Sequence, residues 1–408
     1  MKEEKVYDVI IVGAGPAGSV TAKRTAESGL DVLMIEKDPE IGVPVRCGEG
    51  VSENALKRFP RIEERCPECI AKKVRGIKLY SPDGTEIVAE GKVCGYTLNR
   101  DVFDKFVARE AEKAGVEIRK NTEAIGLTRN RGITELRVSS LDGKYTLFAK
   151  VIVDAGGIGS PVGRLAGMDT KLHDGSIMMC REYLLRGPEL RGKNYDEFHL
   201  GNKIAPQGYA WVFPKGDNIA NVGIGFSLET TKRKGISFLN DLLDEFVRKR
   251  FPDCKVEKAI YGMVPTGKRL KTGKILDITA DGLVLVGDAA GGYSVDSLTG
   301  GGINNGMRSG EIAGDVIARA ISEDDTSKKR LDEYKIMLQW EIGATNDKLE
   351  KAAEFIGKLS DDKLNRLAHS LKSEDLSKIN SRMLIVKLIA KNPRILWRIA
   401  KVFYKTKK

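Results

Sequence analysis

The first thirty-six residues constrain the fold most. Residues 6–12 (VYDVIIV) form a short apolar run of strand character, followed by Gly13-Ala14-Gly15-Pro16-Ala17-Gly18. A helical stretch runs to about Ser28, and a second apolar strand, residues 31–35, ends on Glu36. Strand, glycine turn, helix, strand and acid, in that order, are the context a G-x-G-x-x-G dinucleotide fingerprint requires. Gly13 permits the tight turn, Gly15 lets backbone approach a pyrophosphate, and Gly18 lets the helix pack closely on the strand. The unpaired N–H groups at the helix N-terminus suit the anionic pyrophosphate. Glu36 is placed to accept hydrogen bonds from a ribose. At this point the residues leave NAD and FAD both open.

A chain of 408 residues with 41% hydrophobic content can bury a sizeable core, organised as two or three units. No apolar run reaches the roughly 18 residues of a membrane span, and residues 1–5 lead straight into a strand without a secretory signal. A cytoplasmic protein is expected. The formal charge of +11 favours an anionic partner: nucleic acid, an acidic membrane surface or a phosphorylated substrate. No nucleic-acid motif accompanies the charge, so nucleic acid is not expected. The six cysteines are too few for a disulfide scaffold, and the three histidines (His173, His199, His369) show no metal-ligand spacing. No metal is expected, and the absence of a G-x-S-x-G elbow removes the hydrolase reading.

Beyond Glu36, the loop Arg46-Cys47-Gly48-Glu49-Gly50 lies next to the presumptive cofactor. Cys47, beside a basic residue, is either a thiol of shifted pKa or a small side chain packing against a ring system. Cys66 and Cys69 form a C-x-x-C pair that fits a redox or structural disulfide, a reduced pair, or half a zinc site. Strands are expected at 76–80 and 86–89 across the turn Ser81-Pro82-Asp83-Gly84. Asn99 or Asp101 caps an amphipathic helix at 102–114, and short strands follow at 116–118 and 124–127. A hairpin near 134–139 and 145–149 turns at Asp142-Gly143, before a separate buried strand, 151–153, ending in Asp154-Ala155-Gly156-Gly157. Residues 178–226 read as an antiparallel sheet, within which Tyr209, Trp211 and Phe213 alternate and share one strand face. Such a stripe is core or a binding wall with equal claim. A helix spans 238–251. An apolar strand then delivers Asp288 at its tip, and Thr299-Gly300-Gly301-Gly302 opens a helix to about Ile321. Helices follow at 329–342, 347–359, 361–371 and 376–391. In residues 384–403, Leu384, Leu388, Trp397 and Phe403 alternate with Lys387, Lys391, Arg398 and Lys401, a basic amphipathic pattern suited to an anionic membrane or to the protein's own core.

Taken together, the fingerprint, Arg100 before its helix, the Asp154-Ala155-Gly156-Gly157 turn and Gly287-Asp288 with its glycine loop resemble the FAD-binding pattern of the hydroxylase-like flavoproteins. Within that group, Arg46-Cys47-Gly48-Glu49-Gly50 and Pro206-Gln207-Gly208-Tyr209-Ala210-Trp211-Val212-Phe213-Pro214 resemble the geranylgeranyl reductases. The resemblance runs from Val6 to about Ile321. It implies a mixed α/β fold with a Rossmann-like FAD-binding domain (1–170 with 275–325), an antiparallel-sheet isoprenoid domain (171–274) and a helical C-terminal region (326–408). It implies FAD held around Gly13, Gly15, Ala17, Gly18, Glu36, Arg46, Cys47, Gly48, Gly50, Arg100, Ala124, Asp288, Gly300 and Gly301. It also implies that Tyr209, Trp211 and Phe213 line the isoprenoid cavity.

The implied activity is FAD-dependent hydrogenation of the C=C bonds of geranylgeranyl chains on a prenylated glycerophospholipid. Cys47, Tyr209 and Trp211 are the expected catalytic groups: a proton donor or its relay, and two aromatic faces. The electron donor is ferredoxin or NAD(P)H, and the basic C-terminal segment allows peripheral contact at the inner membrane face. A flavin monooxygenase or halogenase shares the FAD segments, but Tyr209 and Phe213 depart from the halogenase W-x-W-x-I-P. A non-catalytic prenyl carrier would not need the fingerprint, Glu36 and Asp288.

Overall fold

A computed structural model describes residues 5–371. The expected helices at 376–391 and beyond, with the basic amphipathic segment, lie outside the described residues.

The strand Val6–Val12 sits at the centre of the first sheet because nearly every side chain on it is buried. It pairs in parallel with Val32–Ile35 on one side and with the end of Gly143–Asp154 on the other. Short strands Glu117–Arg119 and Leu283–Leu285 extend the parallel core outward. A parallel strand buried along most of its length, five of its seven residues, needs cover on its faces. The fingerprint helix Pro16–Glu27 provides part of it and packs against the long helix Ile303–Ser322.

One expectation about this sheet is corrected. The second hairpin strand and the buried strand before Asp154 are a single twelve-residue element, Gly143–Asp154. Its first half closes the hairpin with Ile133–Ser140, and its second half runs parallel to Val6–Val12. Continuous β-character from Tyr145 to Val153 explains why no break occurs.

The second sheet also draws on more of the chain than expected. Its strand order is Lys255–Pro265, Ile177–Arg186, Ile219–Ser227, Tyr209–Pro214, Asp196–His199, Ile70–Tyr80, Glu86–Leu98, Gly50–Ser52. Three of these strands come from within 1–170, so strand pairing does not follow the expected boundary at 170. Asp196–His199 pairs in parallel with Ile70–Tyr80, which makes the sheet mixed at that one seam. The charged residues of the 70–80 strand conceal its length, and register shifts at Ile70/Lys72 and Val74/Gly76 break its alternation. Lys255–Pro265 is an edge strand with little burial, and it leaves Val256, Tyr261 and Met263 exposed.

The helix expected from residue 102 begins at Arg100, with Asn99 at the N-cap position but making no side-chain capping bond. Instead the Asn99 amide donates to the Glu68 carbonyl at 2.9 Å, holding the turn that carries Cys66 and Cys69. Those two cysteines form a disulfide and pack with Phe59, Phe103 and Phe106, and among the described residues no cluster of side chains could hold a metal ion. Among the described residues, no helix is long and apolar enough to cross a membrane.

Candidate functional site

The fingerprint turn and the 46–50 loop border one cleft, and the loop runs on into the second sheet at Gly50–Ser52. On the first side, Gly15 heads the helix Pro16–Glu27, and the space a Cβ would take there is open. The Glu36 carboxylate is fixed by two backbone donors, Ala14 N–H at 2.8 Å and Asp38 N–H at 3.1 Å. Gly15, Glu36, Arg46, Cys47, Arg100 and Asp104 border one cleft of about 210 Å³. Arg100 is held in it by a bidentate pair with Asp104, at 2.7 and 2.8 Å. Burial works against the guanidinium, but Asp104, Cys47 and Glu49 outweigh it and raise its pKa. Asp288 opens the turn Gly287–Tyr293; burial raises its carboxyl, and Arg100 opposes that shift.

The glycine loop 300–302 closes the far side. The Tyr209 hydroxyl donates to the Thr299 carbonyl, so this aromatic is tied to the loop that starts the helix Ile303–Ser322. Gly300 and Gly302 lie close to Tyr209 and Asp288 respectively, and Ala17 packs against Gly287 and Gly306. Ala124 is half-buried on the strand Glu123–Asn130, whose neighbour Thr122 donates its N–H to the Glu36 carbonyl at 2.8 Å.

Tyr209, Trp211 and Phe213 share one face of their strand and form a wall with Met178, Cys180 and Val264. The indole lies over Gly223, where a Cβ would come within 2.2 Å of the ring. Its N–H donates to Asn221 Oδ1 at 2.8 Å. Gly48 and Gly50 back onto Phe213, with Gly48 also against Trp211. The loop expected to border the cofactor and the stripe expected to border the substrate are therefore in contact.

Between them lies a buried polar cluster. Glu49 is 4% exposed, with φ of 69°, and pairs with Lys215 while accepting the Arg100 N–H at 3.2 Å. Lys215 also donates to the Leu98 carbonyl at 2.9 Å. Asn221 Nδ2 donates to the Cys47 carbonyl at 3.2 Å. Burial pushes the Cys47 thiol up; Arg100 opposes this, while Glu182 and Glu49 reinforce it. A thiol raised in this way holds its proton at neutral pH, so the shift is opposite to thiolate activation by a basic neighbour.

A second cavity, about 70 Å³, lies beyond Tyr209 among Met178, Leu298, Ile356, Leu359 and Leu364. The helices Ala344–Gly357 and Asp361–Leu371 thus supply part of its lining.

This geometry can be set beside known proteins. A model described as the geranylgeranyl reductase catalytic domain matches residues 176–265, and one of FAD dependent oxidoreductases matches residues 8–199. Digeranylgeranylglycerophospholipid reductases from Methanothrix thermoacetophila and Methanosarcina mazei are 41% and 40% identical to the chain. The alignments cover 96% and 97% of this chain and 98% and 96% of those proteins. The chain belongs to the geranylgeranyl reductase family.

Its fold agrees. A geranylgeranyl bacteriochlorophyll reductase-like protein from Thermoplasma acidophilum superposes with a TM-score of 0.89 at 34% identity, covering 98% of this chain and 99% of that one. A flavin-dependent brominase matches with a TM-score of 0.70 at 18% identity, covering 96% and 100%, a likeness of fold alone. This family member is an FAD-dependent oxidoreductase, and its open Gly15 backbone, clamped Glu36 and glycine loop fit that cofactor.

Glu182, Asn221, Lys215 and Asp104 were not legible as site residues. Glu182 had a signal: Met178, Cys180 and Glu182 alternate on one strand, which puts a carboxylate on an apolar face. Asp196 is similar, 8% exposed with Oδ1 lacking any hydrogen-bond partner, beside Gly50. Burial, then Glu197, pushes its carboxyl from 3.8 up to about 8. The folded protein therefore keeps a proton that the unfolded chain loses between these values, and stability falls as pH rises through that window. Asp196→Asn is expected to stabilise the protein at pH 9 by at least about 1 kcal/mol, with little gain at pH 4. Thermal melts at the two pH values check this.

Proposed function

We propose that the chain saturates the geranylgeranyl double bonds of 2,3-digeranylgeranylglycerophospholipids, giving the phytanyl chains of archaeol lipids. The observation that carries this reading is the contact of the Tyr209–Trp211–Phe213 wall with the Arg46–Gly50 loop. That contact sets an apolar, aromatic-lined surface directly against the cofactor side of the cleft. The relatives' printed names supply the lipid class.

FAD, when bound and reduced, supplies the hydride. The fingerprint helix and Gly15 would hold its pyrophosphate, Glu36 its ribose, Asp288 a ribityl hydroxyl, and the Gly300 and Gly301 backbone would lie beside it. An isolated trisubstituted alkene has no carbonyl to draw electrons away, so reduction also needs a proton and relief of positive charge at the tertiary carbon. The Tyr209 and Trp211 faces stabilise that charge. Cys47, a neutral thiol in the cleft wall, delivers the proton to the other carbon. The wall and its neighbours exclude water while this happens.

The cavity beyond Tyr209 is well below the roughly 300 Å³ of a typical ligand pocket. Seating a prenyl chain there would require the cavity to widen, and the helices Ala344–Gly357 and Asp361–Leu371 form part of its wall. Ferredoxin or NAD(P)H delivers the electrons, and the basic segment at 384–403 brings the enzyme to an anionic membrane.

The test is mass spectrometry of digeranylgeranylglyceryl phosphate incubated anaerobically with dithionite-reduced, FAD-loaded protein. A gain of one hydrogen pair per double bond is expected. Unchanged lipid over bound, reducible flavin would sink the proposal and favour a monooxygenase.

A further inference from the structure

Glu182 is a buried carboxyl on the substrate wall that the chemistry above leaves unused. It projects from Ile177–Arg186 on the face that carries Met178 and Cys180, and it is 3% exposed. On the neighbouring strand Glu182 pairs with Gly223, two residues from Asn221, whose amide holds the Cys47 carbonyl at 3.2 Å. Oε1 is buried with no hydrogen-bond partner. Burying a carboxyl oxygen unpartnered is costly, and a hydrophobic side chain at this wall position would avoid that cost.

The groups facing Glu182 come from four elements. Glu49 and Cys47 approach from the flavin-side loop, Lys215 from the turn after Tyr209–Pro214, Asn221 from the adjoining strand Ile219–Ser227, and Cys180 from its own strand. Burial and then Glu49 push the carboxyl up to about 7, against Asn221, the Cys47 N–H and Lys215. Near neutral pH it exchanges its proton readily, while the Cys47 thiol beside it does not ionise.

We infer that Glu182 is the proton reserve behind Cys47, a positioning residue that returns a proton to the sulfur after each transfer to substrate. The inference rests on the reading of Cys47 as the donor. In balance, the Cys47 S–H bond breaks as the substrate C–H bond forms. The Glu182 O–H bond then breaks as S–H reforms, and water restores the carboxyl. The hydride on the neighbouring carbon completes addition of one hydrogen pair, so no further oxidant or reductant is needed.

The test is Glu182→Gln in the FAD-loaded protein, with two readouts. One is the pH dependence of Cys47 alkylation by iodoacetamide, resolved from Cys180 and Cys254 by peptide mass spectrometry. Removing the neighbouring carboxylate is expected to lower the alkylation midpoint by about one pH unit. The other is lipid turnover, expected to fall about tenfold at pH 7 and to lose its dependence on pH near neutrality, with flavin content retained. An unchanged alkylation midpoint overturns the inference. So does parental turnover, or a loss equal at every pH with flavin released, which marks a purely structural role. Failure of the parental protein to reduce lipid would instead strike the functional reading, and the alkylation result would still stand by itself.

Discussion

Cys47→Ala is expected to lower the rate of double-bond reduction by about 10²- to 10⁴-fold, with FAD still bound. The thiol is placed by a contact that alanine keeps: the Cys47 carbonyl accepts from Asn221 at 3.2 Å. What disappears is the sulfur, to which Glu49 N–H donates at 3.2 Å. Since burial keeps the thiol protonated, the variant removes a proton at the cleft wall and leaves the charges of Arg100 and Asp104 unaltered. Flavin content by absorbance, a stopped-flow rate of flavin reoxidation by lipid, and mass spectrometry of the lipid separate these effects. Parental lipid reduction by this variant would remove Cys47 from the mechanism.

The second large effect is at the fingerprint. Gly18→Val is expected to abolish FAD retention and to destabilise the fold by more than about 3 kcal/mol. A Cβ at Gly18 would stand 2.0 Å from the Gly13 carbonyl and 2.9 Å from Ala155 Cβ. The helix cannot back away, because its other side is pressed on Ile303–Ser322, where a Cβ at Gly310 would meet the Ala17 carbonyl at 2.6 Å. Gly13 itself has φ of 106°, so the turn cannot rearrange around a normal side chain without strain. Gly15→Ala is the informative contrast. Its Cβ meets nothing, so the apoprotein melt should be parental while flavin is lost on gel filtration, the methyl occupying the pyrophosphate's approach.

Much of the cofactor side was legible because its signals are local. The turn Gly13 to Gly18 and the acid at Glu36 lie within one βαβ unit, where spacing along the chain is spacing in the fold. The aromatic stripe was legible for the same reason, since alternate residues on Tyr209–Pro214 must share a face. The long strands Ile70–Tyr80 and Gly143–Asp154 were read short or split, because their continuity depends on partners elsewhere in the sheet. The Asn99 side chain was expected as a cap and is spent on Glu68, a choice that only the neighbouring turn explains.

The polar cluster is the clearest case of what tertiary structure decides. Cys47, Glu49, Glu182, Lys215 and Asn221 come from the flavin-side loop, from two strands and from the turn between strands, separated by as much as 174 positions where Asn221 meets Cys47. The sequence by itself determined a dinucleotide fold and a one-faced aromatic stripe, since both follow from short-range periodicity and motif spacing, while the cofactor class came from the resemblance to a known family. It could not determine that Cys47 is a proton-bearing thiol. Arg46 beside it suggests an ionised thiolate, whereas burial against Glu182 and Glu49 keeps the proton on the sulfur. A pKa depends on the distance and dielectric between groups, and those are set when the two sheets close on one another.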